Sequence, residues 1–189
     1  GMDDAACETQ VARTRTWREL ASVLPPAGKV LALGHDQHTC QAALRQQGHE
    51  VCALPECPPE LPYPADAFPT VAAVNVLEEL DEADVPAAVA GLHRVCGQLL
   101  YVRVRTLRAP SGNPPLLRPA QWWEQHFLEA GFRRHPRLMA VCRFEAREQP
   151  GAAATLVFEK IPAPALAAYP LAELADERDL HMDMLREAG

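Results

Sequence analysis

The chain has 189 residues, 48% apolar and 23% charged, which excludes a disordered or fibrous polymer and allows one domain with a sizeable core. Its net charge of −7 opposes phosphate backbones, so nucleic acid is not an expected partner. No run approaches about 18 uncharged apolar residues, so no membrane partner is expected.

The start, with Asp3 and Asp4, lacks a hydrophobic signal region. Six cysteines fall at positions 7, 40, 52, 57, 96 and 142. Several lie inside apolar runs, where Cys behaves as a small core residue. Together these features predict reduced thiols and a cytoplasmic protein.

In chain order, residues 8–24 carry Val11, Trp17, Leu20, Val23 and Leu24 at helical spacing and end before Pro25. Residues 29–34 read as a buried strand closed by Gly34. A helix over 39–47 follows, with Thr39 as N-cap and Gly48 as C-cap. Residues 50–54 are a second strand, broken by Pro55. Strand, helix and strand in this order predict a parallel βαβ unit. Residues 55–69 hold six prolines, and no strand or helix can run through them.

Residues 70–76 resume as a buried strand, and 84–95 form a helix with Val85, Ala88, Val89 and Leu92 on one face. Residues 98–105 are a further strand. After a Pro/Gly-rich loop over 107–118, Pro119 starts a helix that ends at Gly131. Residues 137–147 and 153–161 are expected to form an antiparallel hairpin around the turn 148–151. Two parts are expected: an α/β domain over 1–161, and a Pro-rich linker with a final helix over 162–189. The helix carries Leu171, Leu174, Leu180, Met184 and Leu185. It is expected to contact a protein partner or an adjacent domain beyond this chain, or to dock on its own domain. The residues leave both open.

Four stretches carry a family resemblance. They are residues 29–38, residues 48–56, residues 61–68 with 74–80, and residues 92–95 with Trp122, Trp123 and the Ala130-Gly131-Phe132 run. Over residues 28–161 the chain resembles class I S-adenosylmethionine-dependent methyltransferases. The resemblance implies a Rossmann-like, three-layer αβα fold. Its sheet would be mostly parallel with an antiparallel C-terminal hairpin, and its third strand reduced or missing. It also implies S-adenosylmethionine as cofactor if the protein is active. The double Trp, Ala-Gly-Phe and His135-Pro136 are further similar to methyltransferase-like proteins tied to bacterial surface polysaccharides.

The family's loop after the first strand has an acid, any residue, then three glycines at alternate positions. Here those positions hold Ala32, Gly34, Asp36 and His38. Side chains thus project where the ligand's backbone-lined cradle should lie. The family's second strand ends on an acid that holds the ribose. Here that position is Pro55, and Glu56 stands one residue late. If any ligand binds, the resemblance places Gly34, His35, Asp36, Glu56 and Asn75 around it, with Glu78 near a substrate. Each lost hydrogen-bonding group costs roughly 1–3 kcal/mol, so three or four such losses remove useful affinity.

Other motifs have plainer explanations. His35, His38 and Cys40 lack a metal-site spacing and read as a polar loop, so no metal is expected. Cys52 and Cys57 lack the two-residue gap of a redox pair. Trp122 and Trp123 face different ways on a helix, one core and one rim. Glu78 and Glu79 fit a helix start for dipole reasons, or a general base. Three readings follow: a methyltransferase-fold scaffold or partner-binding module with a degraded cofactor site, an active methyltransferase, and a sugar- or nucleotide-binding module. The missing acids and glycines favour the first.

Overall fold

The computed structural model describes residues 20, 24, 28–34, 37–106, 114–138 and 153–162. Among the described residues, six strands form one sheet: β1 (Lys29–Leu33), β2 (Glu50–Leu54), β3 (Phe68–Val74), β4 (Cys96–Arg105), β5 (Phe132–Arg134) and β6 (Ala153–Lys160). Their order is β2-β1-β3-β4-β6-β5. The first four are mutually parallel, and β6 runs antiparallel to both β4 and β5. Three α-helices whose full extent lies among the described residues accompany them: α1 (Gln37–Gln46), α2 (Val85–Val95) and α3 (Ala120–Ala130).

The alternation of side chains along each strand divides the core into two. Val30, Ala32, Ala72, Val74, Leu99, Tyr101 and Val157 pack with Cys40, Ala43 and Leu44 of α1. Leu31, Leu33, Val71, Ala73, Leu100, Val102 and Phe158 pack with the inner faces of α2 and α3. The central strands are apolar on both sides because helices cover both sides. This is the three-layer αβα arrangement that the sequence predicts.

Local chemistry sets the boundaries. Gly48 and Gly131 end α1 and α3 at φ +84° and +107°, a region that favours glycine. Thr39 lies inside α1, which begins at Gln37, so it is not the N-cap that its residue type suggests. The strand placed at 70–76 runs two residues earlier: Phe68 and Pro69 belong to it, against the expectation of no strand through 55–69. Pro69 sits where the β3/β4 register shifts, a place where a strand tolerates proline. The strand ends at Val74 because Asn75 turns out at φ +53°.

The hairpin differs more. Strand β6 lies where predicted, but its described partners are β4 and the three-residue β5. Residues 136–138 form a turn and the start of a helical segment, and 139–147 lie outside the described residues. So do residues 8–19 and 21–23 of the leading helix, and residues 163–189 of the linker and final helix expected after residue 161.

Beyond β2 no further strand pairs among the described residues, as expected for a sheet whose third strand is missing. Where such a strand would lie in sequence, the Pro-rich segment folds onto the α2/α3 side, burying Cys57 and Leu61 in that core. Hydrogen bonds and ring packing hold the segment. Arg94 of α2 donates to the carbonyl oxygens of Leu61, at 2.8 Å, and of Tyr63. The Tyr63 hydroxyl lies 3.1 Å from Cys52 Sγ on β2. The Tyr63 ring meets Phe68 edge-on, 4.9 Å between centroids.

Candidate functional site

In a sheet of this order, ligands lie outside the carboxyl ends of the strands where the chain switches direction. Here that point is between β1 and β3. The helix after β1 packs on one face and the helix after β3 on the other.

Gly34 closes β1. It is buried, and its N–H donates to the Leu54 carbonyl at 2.9 Å. Asn75 follows β3 and donates its N–H to the Arg103 carbonyl at 2.9 Å. Its Oδ1 is buried and has no hydrogen-bond partner among the described residues. Asn tolerates the left-handed backbone here better than most residues do. Gly34 and Asn75 thus stand at the carboxyl ends of adjacent parallel strands.

Glu56 stands apart from them in character. Both Pro55 and Glu56 are exposed past the end of β2, and Glu56 makes no hydrogen bond to a described residue. His35 and Asp36 lie outside the described residues, and His38 falls in the first turn of α1.

Sequence reasoning missed the character of Glu78. It lies in a short 3-10 turn, Leu77–Glu79, just past Asn75, and is 0% exposed. One carboxylate oxygen is 3.5 Å from Arg105 Nε, and the other has no partner among the described residues. Arg105 makes its closer contact, 3.0 Å, with Glu79. Burial pushes the Glu78 carboxyl above its usual range, against the pull of nearby backbone N–H groups and of Arg105. Two adjacent acids give no sequence signal for which one is buried.

Beside this turn is an open groove of about 510 Å³, lined by Leu80, Asp81 and Glu82 on one side and residues 114–118 on the other. Arg118 pairs with Glu82 at 2.8 Å and lies over the Trp122 ring at 5.6 Å. Trp122 is half-buried and Trp123 fully buried, the rim and core split that adjacent helix positions predict.

The cysteines look structural. Burial pushes the Cys57 thiol up to about 11 and the Cys96 thiol up to about 12, so neither is a ready nucleophile. No group of three or more potential metal ligands occurs among the described residues. No described helix is long and apolar enough to cross a membrane.

No family model matches the chain, and no curated protein sequence matches it. Solved structures do. The chain is similar to the Burkholderia thailandensis 1,6-didemethyltoxoflavin-N1-methyltransferase, with TM-score 0.60 and 16% identity over 85% of this chain and 84% of that one. It is also similar to a TehB-like S-adenosylmethionine-dependent methyltransferase from Corynebacterium glutamicum, with TM-score 0.55 and 17% identity over 84% of this chain and 100% of that one. The [4+2]-cyclase SpnF shares the architecture at TM-score 0.52 and 17% identity, over 80% of this chain and 82% of that one. At these identities the likeness is one of fold, and the fold is that of a class I methyltransferase-like domain.

Proposed function

We propose that the chain is a methyltransferase-fold module with a degraded S-adenosylmethionine site, serving as a scaffold or partner-binding module of a longer bacterial protein. The end of β2 carries this reading. A ribose diol needs a carboxylate fixed there, and the position holds exposed Pro55, which has neither a donor nor a side-chain acceptor. Glu56 is exposed beside it, with no described group to orient it. The Leu54 carbonyl, a remaining acceptor at that end, already takes the Gly34 N–H. These residues do not fit the cofactor.

Fold alone does not decide function, as the [4+2]-cyclase on the same architecture illustrates. The partner contact proposed for the C-terminal segment rests on its pattern of Leu171, Leu174, Leu180, Met184 and Leu185. A cytoplasmic setting is supported by the free thiols of Cys52, Cys57 and Cys96.

One observation favours a second reading. The unpartnered Asn75 Oδ1 at the switch point offers an acceptor to a small ligand, either S-adenosylmethionine in an active methyltransferase or a sugar or nucleotide. Thermal unfolding with each ligand separates the readings. A ligand at 100 times its dissociation constant stabilises by ~2.7 kcal/mol. The module reading predicts no shift with S-adenosylhomocysteine at about 1 mM, well above the micromolar range expected of a working site. A shift with that ligand supports the active enzyme. A shift with a sugar nucleotide alone supports the third alternative.

A further inference from the structure

Strand β2 is one edge of the sheet, and no described strand pairs with its outer side. Two hydrogen bonds fix which of its backbone groups face outward. The Glu50 N–H donates to the Gly28 carbonyl at 3.0 Å, and the Leu54 carbonyl accepts the Gly34 N–H at 2.9 Å. Residues that bond one neighbouring strand alternate with residues that face the other side. Glu50, Cys52 and Leu54 therefore address β1. Val51 and Ala53 turn their N–H and C=O groups away from it, where no described residue takes them. Residues 51–54 are Val-Cys-Ala-Leu, half-buried, with no charge, proline or bulge of the kind that guards an open edge. The opposite edge is guarded: β5 has three residues, and its Arg133 and Arg134 are exposed.

We propose that this edge is a homodimer interface, at which a second copy of the chain adds its own β2 antiparallel and the two sheets become one. The edge is self-complementary about a two-fold axis at Cys52. In that register Val51 faces Ala53 of the second copy, and the two exchange both of their backbone hydrogen bonds. Every outward N–H and carbonyl of Val51 and Ala53 is then satisfied in both copies. A slip of two residues in either direction loses bonds. It sets Ala53 against His49, whose N–H is already given to the Leu44 carbonyl at 3.2 Å, or Val51 against Pro55, which has no N–H. The side chains agree with the register. Val51 meets Ala53 on the α1 side, and Cys52 meets Cys52 on the α2/α3 side. Glu50 meets Leu54 and not a second Glu50, so two chains of net charge −7 join without opposed carboxylates along the pairing. A specific interface buries roughly 800 Å² per partner, more than a five-residue edge supplies. The dimer is therefore concentration-dependent, with a dissociation constant in the micromolar range.

Sedimentation velocity on the full chain from about 5 to about 300 μM tests this, with a monomer–dimer equilibrium as the expected result. Ala53→Pro removes an outward N–H and leaves the β1 ladder intact, a change that an edge strand accepts. It should raise the dimer dissociation constant roughly tenfold or more while the thermal midpoint changes little. A second measurement reads the register itself. In the proposed pairing the two Cys52 Cα atoms stand about 4.5 Å apart, within disulfide reach. Oxidation with diamide, which takes up the two protons and two electrons that the thiols release, should give a covalent dimer whose peptide map joins Cys52 to Cys52. Cys52→Ser should not give it. A chain that stays monomeric up to about 300 μM overturns the proposal. So does a dimer that Ala53→Pro leaves unchanged, or one crosslinked only through another cysteine. A monomer whose Val51 and Ala53 amides resist hydrogen exchange shows that the chain's own residues cover the edge, which also overturns it. The dimer is measured without ligand, so it stands or falls separately from S-adenosylhomocysteine binding.

Discussion

Arg94 of α2 binds across the fold to Leu61. Its guanidinium donates to the Leu61 carbonyl at 2.8 Å, and its second arm reaches the Tyr63 carbonyl. Its own carbonyl accepts the Asp66 N–H at 2.8 Å. One residue thus holds both arms of a segment that has no regular hydrogen bonding of its own. Arg94→Ala leaves two carbonyls in part-buried surroundings without their charged donor. We expect a loss of ~2–4 kcal/mol, from about 1.5–3 kcal/mol per charged hydrogen bond discounted for partial exposure, read as a fall in thermal midpoint of roughly 5–15 °C. Arg94→Lys should recover only part of it, because an ammonium lacks the planar fork. A drop under about 2 °C in the alanine variant would show that the segment is held by its apolar contacts alone.

Glu78 is a carboxyl that burial pushes up. The folded state therefore binds its proton more tightly than the unfolded state does. Stability from this group is greatest at acid pH and is lost as pH rises from the unfolded value near 4.5 through the raised folded value. Glu78→Gln should flatten that limb of the stability–pH curve. At neutral pH it should stabilise the fold by about 1 kcal/mol, or 2–4 °C, by removing an under-paired buried charge. Equilibrium urea unfolding across pH 4–8 checks this, and an unchanged slope in the variant would contradict it.

His93 behaves in the opposite direction. Its ring packs edge-on to Phe132, 5.0 Å between centroids, and its Nε2 is buried without a partner among the described residues. Burial pushes its pKa down, the Lys160 ammonium adds to this, and the Gly131 carbonyl and Asp66 oppose it. The folded state binds this proton less tightly, so stability is full above the unfolded value of 6.5 and falls as pH drops below it. His93→Leu should remove that acid-side loss. An NMR titration of the imidazole should place its midpoint below 6.5, and a midpoint above it would contradict the account.

Phe158 of β6 stacks on Phe127 at 5.0 Å and lies 6.1 Å from Phe132, all three buried. Phe158→Ala should cost ~3–5 kcal/mol and release α3 and β5 together. Calorimetry should show one lower, still cooperative transition. Loss of less than about 1 kcal/mol would mean the aromatic cluster closes around the gap.

The elements that the sequence shows clearly are those whose hydrophobic period is long enough to read. Residues 29–34 and 50–54 are bounded by glycine or proline, and the βαβ unit follows from them. Helices α2 and α3 stand within a residue of expectation because Val85 to Leu92 repeats at helical spacing and Gly131 stops α3. Strand β5 has three residues, Phe132-Arg133-Arg134, with no period to detect. Its place is set by tertiary pairing with Phe158 and Lys160. The site was legible only in part. Gly34 and Asn75 stand at neighbouring strand ends because the order puts β1 beside β3, whereas the Glu78 turn is bonded by Arg105 and Leu116 from elsewhere in the chain.

We propose that the fold persists here without its cofactor chemistry, and an isothermal titration of the full chain with S-adenosylhomocysteine checks this. We predict no binding heat up to about 1 mM ligand, the consequence of Pro55 standing where a carboxylate is needed and of losing roughly 1–3 kcal/mol per missing contact. A saturable heat with a dissociation constant in the micromolar range would contradict it and make the chain a working methyltransferase candidate.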